Sequence, residues 1–173
     1  MKNLFVFLLL TIVFTSCKKS EPAPVVEATS PLVGKWLKSR QIGQVTTGGK
    51  TVNIVKNIGS QGAYYDFRAD GSYTESFFDS TASTQPNKLT TGKYALKDDQ
   101  IRLVVDNTNE ADIKYLEYVL NNGNNQMYLT DSKNLRLKAI DEQSKLNTQL
   151  AQLNSDKLKG IDDFEVAYRL EKQ

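Results

Sequence analysis

Tyr65, Phe67, Tyr73, Phe77, Tyr94 and Tyr115 run through the middle of the chain, with Glu75 set among them. Rings on one face of a sheet either wall a cavity for an apolar molecule or fill a core, because small barrels pack their interiors with side chains. A carboxylate on that same face is costly in a dry interior, so an inward Glu75 favours a polar-lined pocket. Other groupings carry less chemistry. GQVTTGGKT, from Gly43 to Thr51, resembles a phosphate loop only until Gln44, where that pattern requires glycine; it reads as a flexible hairpin loop. Asp98-Asp99 and Asp162-Asp163 are neighbours in sequence, and neighbours on a strand point to opposite faces, so they read as turn residues and not as a general acid and base. The chain has no histidine. That excludes a Ser-His-Asp triad, a Cys-His pair and any His-ligated zinc or haem, and no catalytic residue is expected.

The single cysteine, Cys17, stands where an apolar run stops and KKSEPAPVVEATSP begins. Leu4 to Phe14, preceded by Lys2 and followed by Thr15 and Ser16, has the layout of a secretory signal. At about eleven residues the run is too short to span a bilayer as a helix, which needs about twenty. Phe14-Thr15-Ser16-Cys17 resembles a bacterial lipobox, in which the sulfur takes a diacylglycerol and the freed amine is acylated. Several acyl chains hold a protein at a membrane where a single one binds marginally. Residues 1–16 are thus expected to be a lipoprotein signal peptide and residues 17–31 a lipid-anchored tether. About fourteen extended residues reach roughly 40 Å. The expected location is the cell envelope, most simply the outer membrane, with the face undetermined. With Cys17 given to lipid, no disulfide or thiolate metal site is left, and neither metal nor cofactor is expected. Loss of residues 1–16 removes Lys2 and no acid, lowering an already small net charge of +2. So balanced a chain gives no case for nucleic acid, and Lys18-Lys19 reads as a solvated neighbour of the membrane surface.

Residues 32–173 form the expected domain. Short β-rich segments separated by turn residues run to about Thr130: Val33 to Ile42, Thr51 to Asn57, Ala63 to Arg68, Ser72 to Asp79, Leu89 to Leu96, Gln100 to Val105, Ile113 to Leu120 and Gln126 to Thr130. The segment from Thr51 to Asn57 also suits a short helix. This spacing predicts an antiparallel meander. With Gly71 left-handed in a three-residue loop, Phe67 faces Tyr73 and the aromatics gather on one side together with Glu75 and Phe77; a two-residue turn would set Phe67 against Thr74 instead. From Asp131 or Ser132, either of which can cap a helix, Leu135, Ala139, Glu142, Leu146, Leu150 and Leu153 mark one stripe of a long helix ending near Gly160. Residues 134–139 suit a last strand as well as a helix. Phe164, Val166, Tyr168 and Leu170 alternate strictly, and predict a returning strand that can pair with the first and close the sheet.

Gly34-Lys35-Trp36 at the head of the first strand resembles the GxW signature of lipocalins. LVGKW, YYDFRADGSY and TGKYAL are similar to the opening, hairpin and mid-barrel stretches of bacterial lipocalin-like lipoproteins, over roughly residues 32 to 170. The lipocalin TDY motif is not matched, since Ser132 follows Thr130-Asp131. The resemblance implies a mostly β protein: an antiparallel up-and-down barrel with a C-terminal α-helix and a short terminal strand. It also implies that Gly34 and Trp36 plug one end, with Arg169 or Arg136 packed across the indole as a cation–π partner. The expected function is binding of a small hydrophobic or amphipathic ligand, with Tyr65, Phe67, Tyr73, Phe77, Tyr94 and Tyr115 as walls and Glu75 as polar anchor. The alternative is a filled barrel that presents loops, Asn121 to Asn125 or residues 79–88, to another envelope protein. An internal void open to solvent separates the two.

Overall fold

Strict alternation of apolar and polar side chains drives most of this chain into strands, since only a pleated backbone sorts such a pattern onto two faces. The computed structural model describes residues 30–59, 62–78, 87–106 and 112–173. Cys17 and the expected signal and tether through residue 29 lie outside the described residues, as does most of the 79–88 loop. The elements are β1 (Gly34–Thr47), β2 (Lys50–Asn57), β3 (Tyr64–Phe67), β4 (Ser72–Phe78), β5 (Asn87–Lys97), β6 (Gln100–Val105), β7 (Ile113–Asn121), β8 (Gln126–Ser132), α1 (Lys133–Ser144), α2 (Thr148–Asp156) and β9 (Asp163–Lys172).

All pairings are antiparallel, and β9 returns to pair with β1, which closes β1 and β3–β9 into an eight-stranded barrel. The returning strand thus acts as expected. The membership of the ring differs from a simple eight-strand meander, because β2 lies outside it. At fourteen residues β1 is long enough to take two partners on one edge: Arg40 to Thr47 pair with β2, and Gly34 to Leu37 pair with β3. The change of partner coincides with a bulge at Ser39, where the register against β9 slips and the Ser39 hydroxyl donates to the Arg169 carbonyl at 3.0 Å. Gly48 and Gly49, both at positive φ, make the two-residue turn into β2, so Thr51 to Asn57 is strand.

The Asp70-Gly71 hairpin takes the three-residue loop. Gly71 is left-handed at φ 76°, Arg68 faces Ser72 across the loop, and Phe67 faces Tyr73. Gly92 sits opposite Tyr73, and a Cβ there would come within 2.6 Å of the Tyr73 ring and would also collide with the Val104 carbonyl. Glycine at this position lets the tyrosine lie flat across its neighbouring strand. The closed end of the barrel is packed solid: Trp36, Phe67, Tyr73, Ile101, Leu103, Met127, Leu129 and Leu170 are all fully buried.

One long helix was expected after Ser132, and the structure has two. Ser132 caps α1 by accepting from the Leu135 amide, and residues 134–139 are helical. The helix stops after Ser144 because Asn147 offers a second cap, accepting from the Leu150 amide at 3.0 Å, while the Gln143 carbonyl takes the Leu146 and Asn147 amides. Tertiary packing favours the break. The leucines of the expected continuous stripe do not share a buried face: Leu146 and Leu153 are more than half exposed, whereas Leu135, Ala139, Gln143 and Ala151 are buried. After the break α2 folds back on α1, with the Asn154 amide donating to Gln143 Oε1 at 2.9 Å. Replacing Asn147 by alanine is expected to lower the unfolding free energy by about 1 kcal/mol, read from urea denaturation, and Asn147→Asp should restore it. Equal midpoints for Asn147→Ala and the parent would remove the cap as the cause of the break.

Candidate functional site

The start of β1, with the turn that leads into it, forms the floor of the barrel. Trp36 is fully buried and its indole N–H donates to the Leu32 carbonyl at 2.7 Å. The cation over the ring is Lys172, with Nζ 5.1 Å from the ring centroid and donating to the Pro31 carbonyl. This corrects the expected partners. Arg169 is an odd number of residues from Lys172, so it points out of the barrel and pairs with Glu171, while Arg136 lies at the other end over Phe164. Trp36 itself sits directly across from Lys172 in the ladder.

Above the floor, Phe67 is the hub of the expected aromatic set. Tyr65 stacks on it at 5.5 Å and Tyr94 meets it edge-on at 5.0 Å, with Tyr73 at 6.4 Å. The Tyr94 hydroxyl donates to the Arg68 carbonyl. These rings fill the lower barrel. Phe77 is half-buried, farther up β4. Tyr115 does not join them: strand β7 turns Lys114, Leu116 and Tyr118 inward, and Tyr115 therefore faces outward, its hydroxyl donating to Glu142 of α1 at 2.5 Å. Glu142 also holds Arg102 of β6, so this trio fastens α1 to the outer wall. Tyr115 nonetheless borders the cavity that lies between the barrel mouth and α1.

Glu75 does face in, and it is 7% exposed. Its Oε1 accepts from Lys38 Nζ at 2.8 Å and from the Tyr65 hydroxyl at 2.6 Å, and its Oε2 accepts from Lys114 Nζ at 3.2 Å. Lys38 is itself buried, with its ammonium 4.3 Å from the Tyr65 ring centroid and 5.4 Å from that of Tyr168. Burial alone would raise the Glu75 carboxyl, but the charges of Lys38 and Lys114 and the hydrogen bonds from Lys38 and Tyr65 outweigh it and hold the group at about 2. Burial pulls the Lys38 ammonium down from its ordinary value against the opposing pull of Glu75. Tyr65 is pushed well up by burial and then by the adjoining carboxylate.

A cavity of about 320 Å³ opens above this layer. Tyr65, Glu75, Lys114, Tyr115, Leu116, Asp131 and Tyr168 belong to its barrel side; Arg136, Ala139, Ile140 and Gln143 border it along α1, with Asn154 of α2 and Lys157 just beyond it. Sequence reading missed Lys38, Lys114 and Tyr168 as members of the site. A signal for Lys38 existed, since it stands two residues after Trp36 and so shares its inward face. The cavity offers no assembled nucleophile and base, and among the described residues no three His, Cys, Asp or Glu side chains converge as metal ligands.

The buried pair sets a pH dependence. Glu75 is held at about 2 in the fold against an ordinary 4.5, so its stabilisation is complete above about 4.5 and is lost as pH falls toward 2. Glu75→Gln is expected to cost about 3–5 kcal/mol near neutrality because it leaves Lys38 buried without its counter-charge. The variant should also lose less stability than the parent between pH 4.5 and 2. Adding Lys38→Met should recover much of the loss. Urea midpoints across pH measure all three, and parallel pH curves for parent and variant would rule the pair out as the titrating element.

The model of the family described as the lipocalin-like domain matches residues 32–129, from the floor of the barrel into β8. Two solved structures are similar. One is an uncharacterized protein from Bacteroides eggerthii DSM 20697, 14% identical, covering 82% of this chain and 98% of that one at a TM-score of 0.40. The other is a lipocalin-like protein from Bacteroides uniformis ATCC 8492, 13% identical, covering 83% and 99% at a TM-score of 0.40. No curated protein matches the chain. With a closed antiparallel barrel, an indole at its floor and a family match over more than half its length, the chain belongs to the lipocalin-like domain family.

Proposed function

We propose that this lipocalin-like barrel is a binding protein, not an enzyme, and that it holds a small amphipathic molecule in the cavity at its open end. The observation that carries the reading is the pairing of a solid lower barrel with a void of about 320 Å³ above a charged layer. That volume suits one small ligand. Its walls mix Tyr65, Ile113, Leu116, Ile140 and Tyr168 with charged groups, which supports an amphipathic occupant over a purely apolar one. The filled lower half is what favours the alternative, a module that only displays loops. The cavity tips the balance toward binding.

The same reading includes attachment to the bacterial envelope through lipid on Cys17, with the outer membrane as the expected site. Ser30 enters the barrel beside the Trp36 floor, opposite the cavity. A lipid anchor joined at that end would leave the open end facing away from its own membrane.

N-phenyl-1-naphthylamine, a neutral probe that brightens in apolar surroundings, should bind the purified protein saturably. Filling the cavity with Ile140→Trp should weaken that binding by about tenfold or more with the circular-dichroism melting transition retained. Saturable binding indifferent to the filling would place the probe elsewhere and remove the reading. For the anchor, Cys17→Ser should move the protein from the membrane pellet to the soluble fraction and block acyl labelling; unchanged attachment would count against lipidation.

A further inference from the structure

The charged layer under the cavity is asymmetric. Glu75 Oε1 is saturated by Lys38 and Tyr65, and the Lys38 ammonium already balances the carboxylate at 2.8 Å. Lys114 is therefore a second cation on one anion. It reaches Oε2 at 3.2 Å with a side chain that is 46% exposed, so it lies on the solvent side of the buried pair. An ammonium has three N–H donors. One points to Glu75, and no other acceptor for Lys114 is found among the described residues.

The remaining charges around the cavity do not duplicate this one. Arg136 is committed to Asp131 by a fork of hydrogen bonds, its Nε at 3.1 and 3.2 Å and its terminal nitrogen at 2.6 Å. Lys157, the residue that follows α2, donates to Asn154 Oδ1 at 2.9 Å. Asp112 is the acid at the border with no cation paired to it among the salt bridges of the described residues. It stands two residues before Lys114, on the same face of the strand, and its carbonyl accepts from the Val105 amide at 3.0 Å.

The geometry points to a single-anion subsite: Lys114, held in place by Glu75, receives the anionic head group of an amphiphile whose aliphatic tail lies against Ile113, Ala139, Ile140 and Tyr168. This rests on the binding reading above and adds the class of ligand. In it Glu75 acts as a positioning residue. Its Oε1 is covered by Lys38 and Tyr65, and its Oε2 holds the Lys114 ammonium at the cavity wall. A cationic head group would meet that ammonium instead of the carboxylate. A neutral head group would gain only an ordinary hydrogen bond, whereas an anion gains a charge-assisted one in a partly desolvated site.

The test compares decanoate, decanol and decyltrimethylammonium as competitors for the bound naphthylamine probe on the full folded domain. Decanoate is expected to displace it at about tenfold lower concentration than decanol, with the cationic amphiphile weakest. Lys114→Gln should bring decanoate to the level of decanol and leave decanol unchanged, and Lys114→Arg should restore the preference. Equal displacement by acid and alcohol in the parent would overturn the anion subsite while leaving the binding reading in place. A preference for decanoate that survives Lys114→Gln would move the head group to another cation and overturn the assignment. Failure of the probe and all three amphiphiles to bind the folded protein would end the binding reading and the subsite with it.

Discussion

Closing a sheet on itself leaves every strand residue with two addresses, inside or outside, and the period of two makes the choice collective for a whole strand. In this barrel the choice is made where β1 meets β9. Once Trp36 stands across from Lys172 and Lys38 from Leu170, the inward set on both strands follows, and the outward place of Arg169 follows with it. The bulge at Ser39 is the one point at which the parity is reset on β1, and it is also where that strand changes its partner from β3 to β2. Floor, aromatic layer, charged layer and cavity are stacked in that order because they are successive inward positions on the same few strands.

The charged layer is the feature that a purely apolar interior would not need. A buried carboxylate is tolerated here because each of its oxygens has a donor and because Lys38 sits within an ordinary salt-bridge distance. The two tyrosine faces beside Lys38 help to solvate an ammonium that has lost its water. A pair of this kind contributes little net stability compared with apolar replacements, and its retention at the boundary between packed core and void fits a role in positioning. The layer divides the barrel into a structural half and a half with room for a guest.

The aromatic hairpin was legible because loop type and register constrain each other. Gly71 suits the left-handed place of a three-residue loop, and only that loop gathers Tyr65, Phe67, Tyr73 and Glu75 on one face. The lipocalin resemblance of Gly34-Lys35-Trp36 and of the hairpin led to the right fold for the same reason, since both stretches have local constraints that survive in any context. Tyr115 could not be assigned a face from sequence because its strand carries apolar residues on both parities: Ile113 is covered from outside by α1, and Leu116 is covered from inside by the core. The long helix was misread because Leu146 and Leu153 kept the right spacing without having a surface to cover them, while Asn147 supplied a local stop.

Sequence alone determined the absence of histidine, the antiparallel barrel, the turn types and the inward face of the central hairpin. These follow from residue inventory, from period-two alternation and from glycine φ, all of them local properties. Tertiary structure alone decided that Lys172 covers the indole, that Lys38 and Lys114 share Glu75, and that a cavity remains where α1 and α2 meet the barrel. Each of those depends on which residues far apart in the chain become neighbours when the ring closes. Lys38 and Glu75 are 37 residues apart in sequence, and Glu75 and Lys114 are 39 apart. No local preference encodes their meeting; the shear of the closed sheet does.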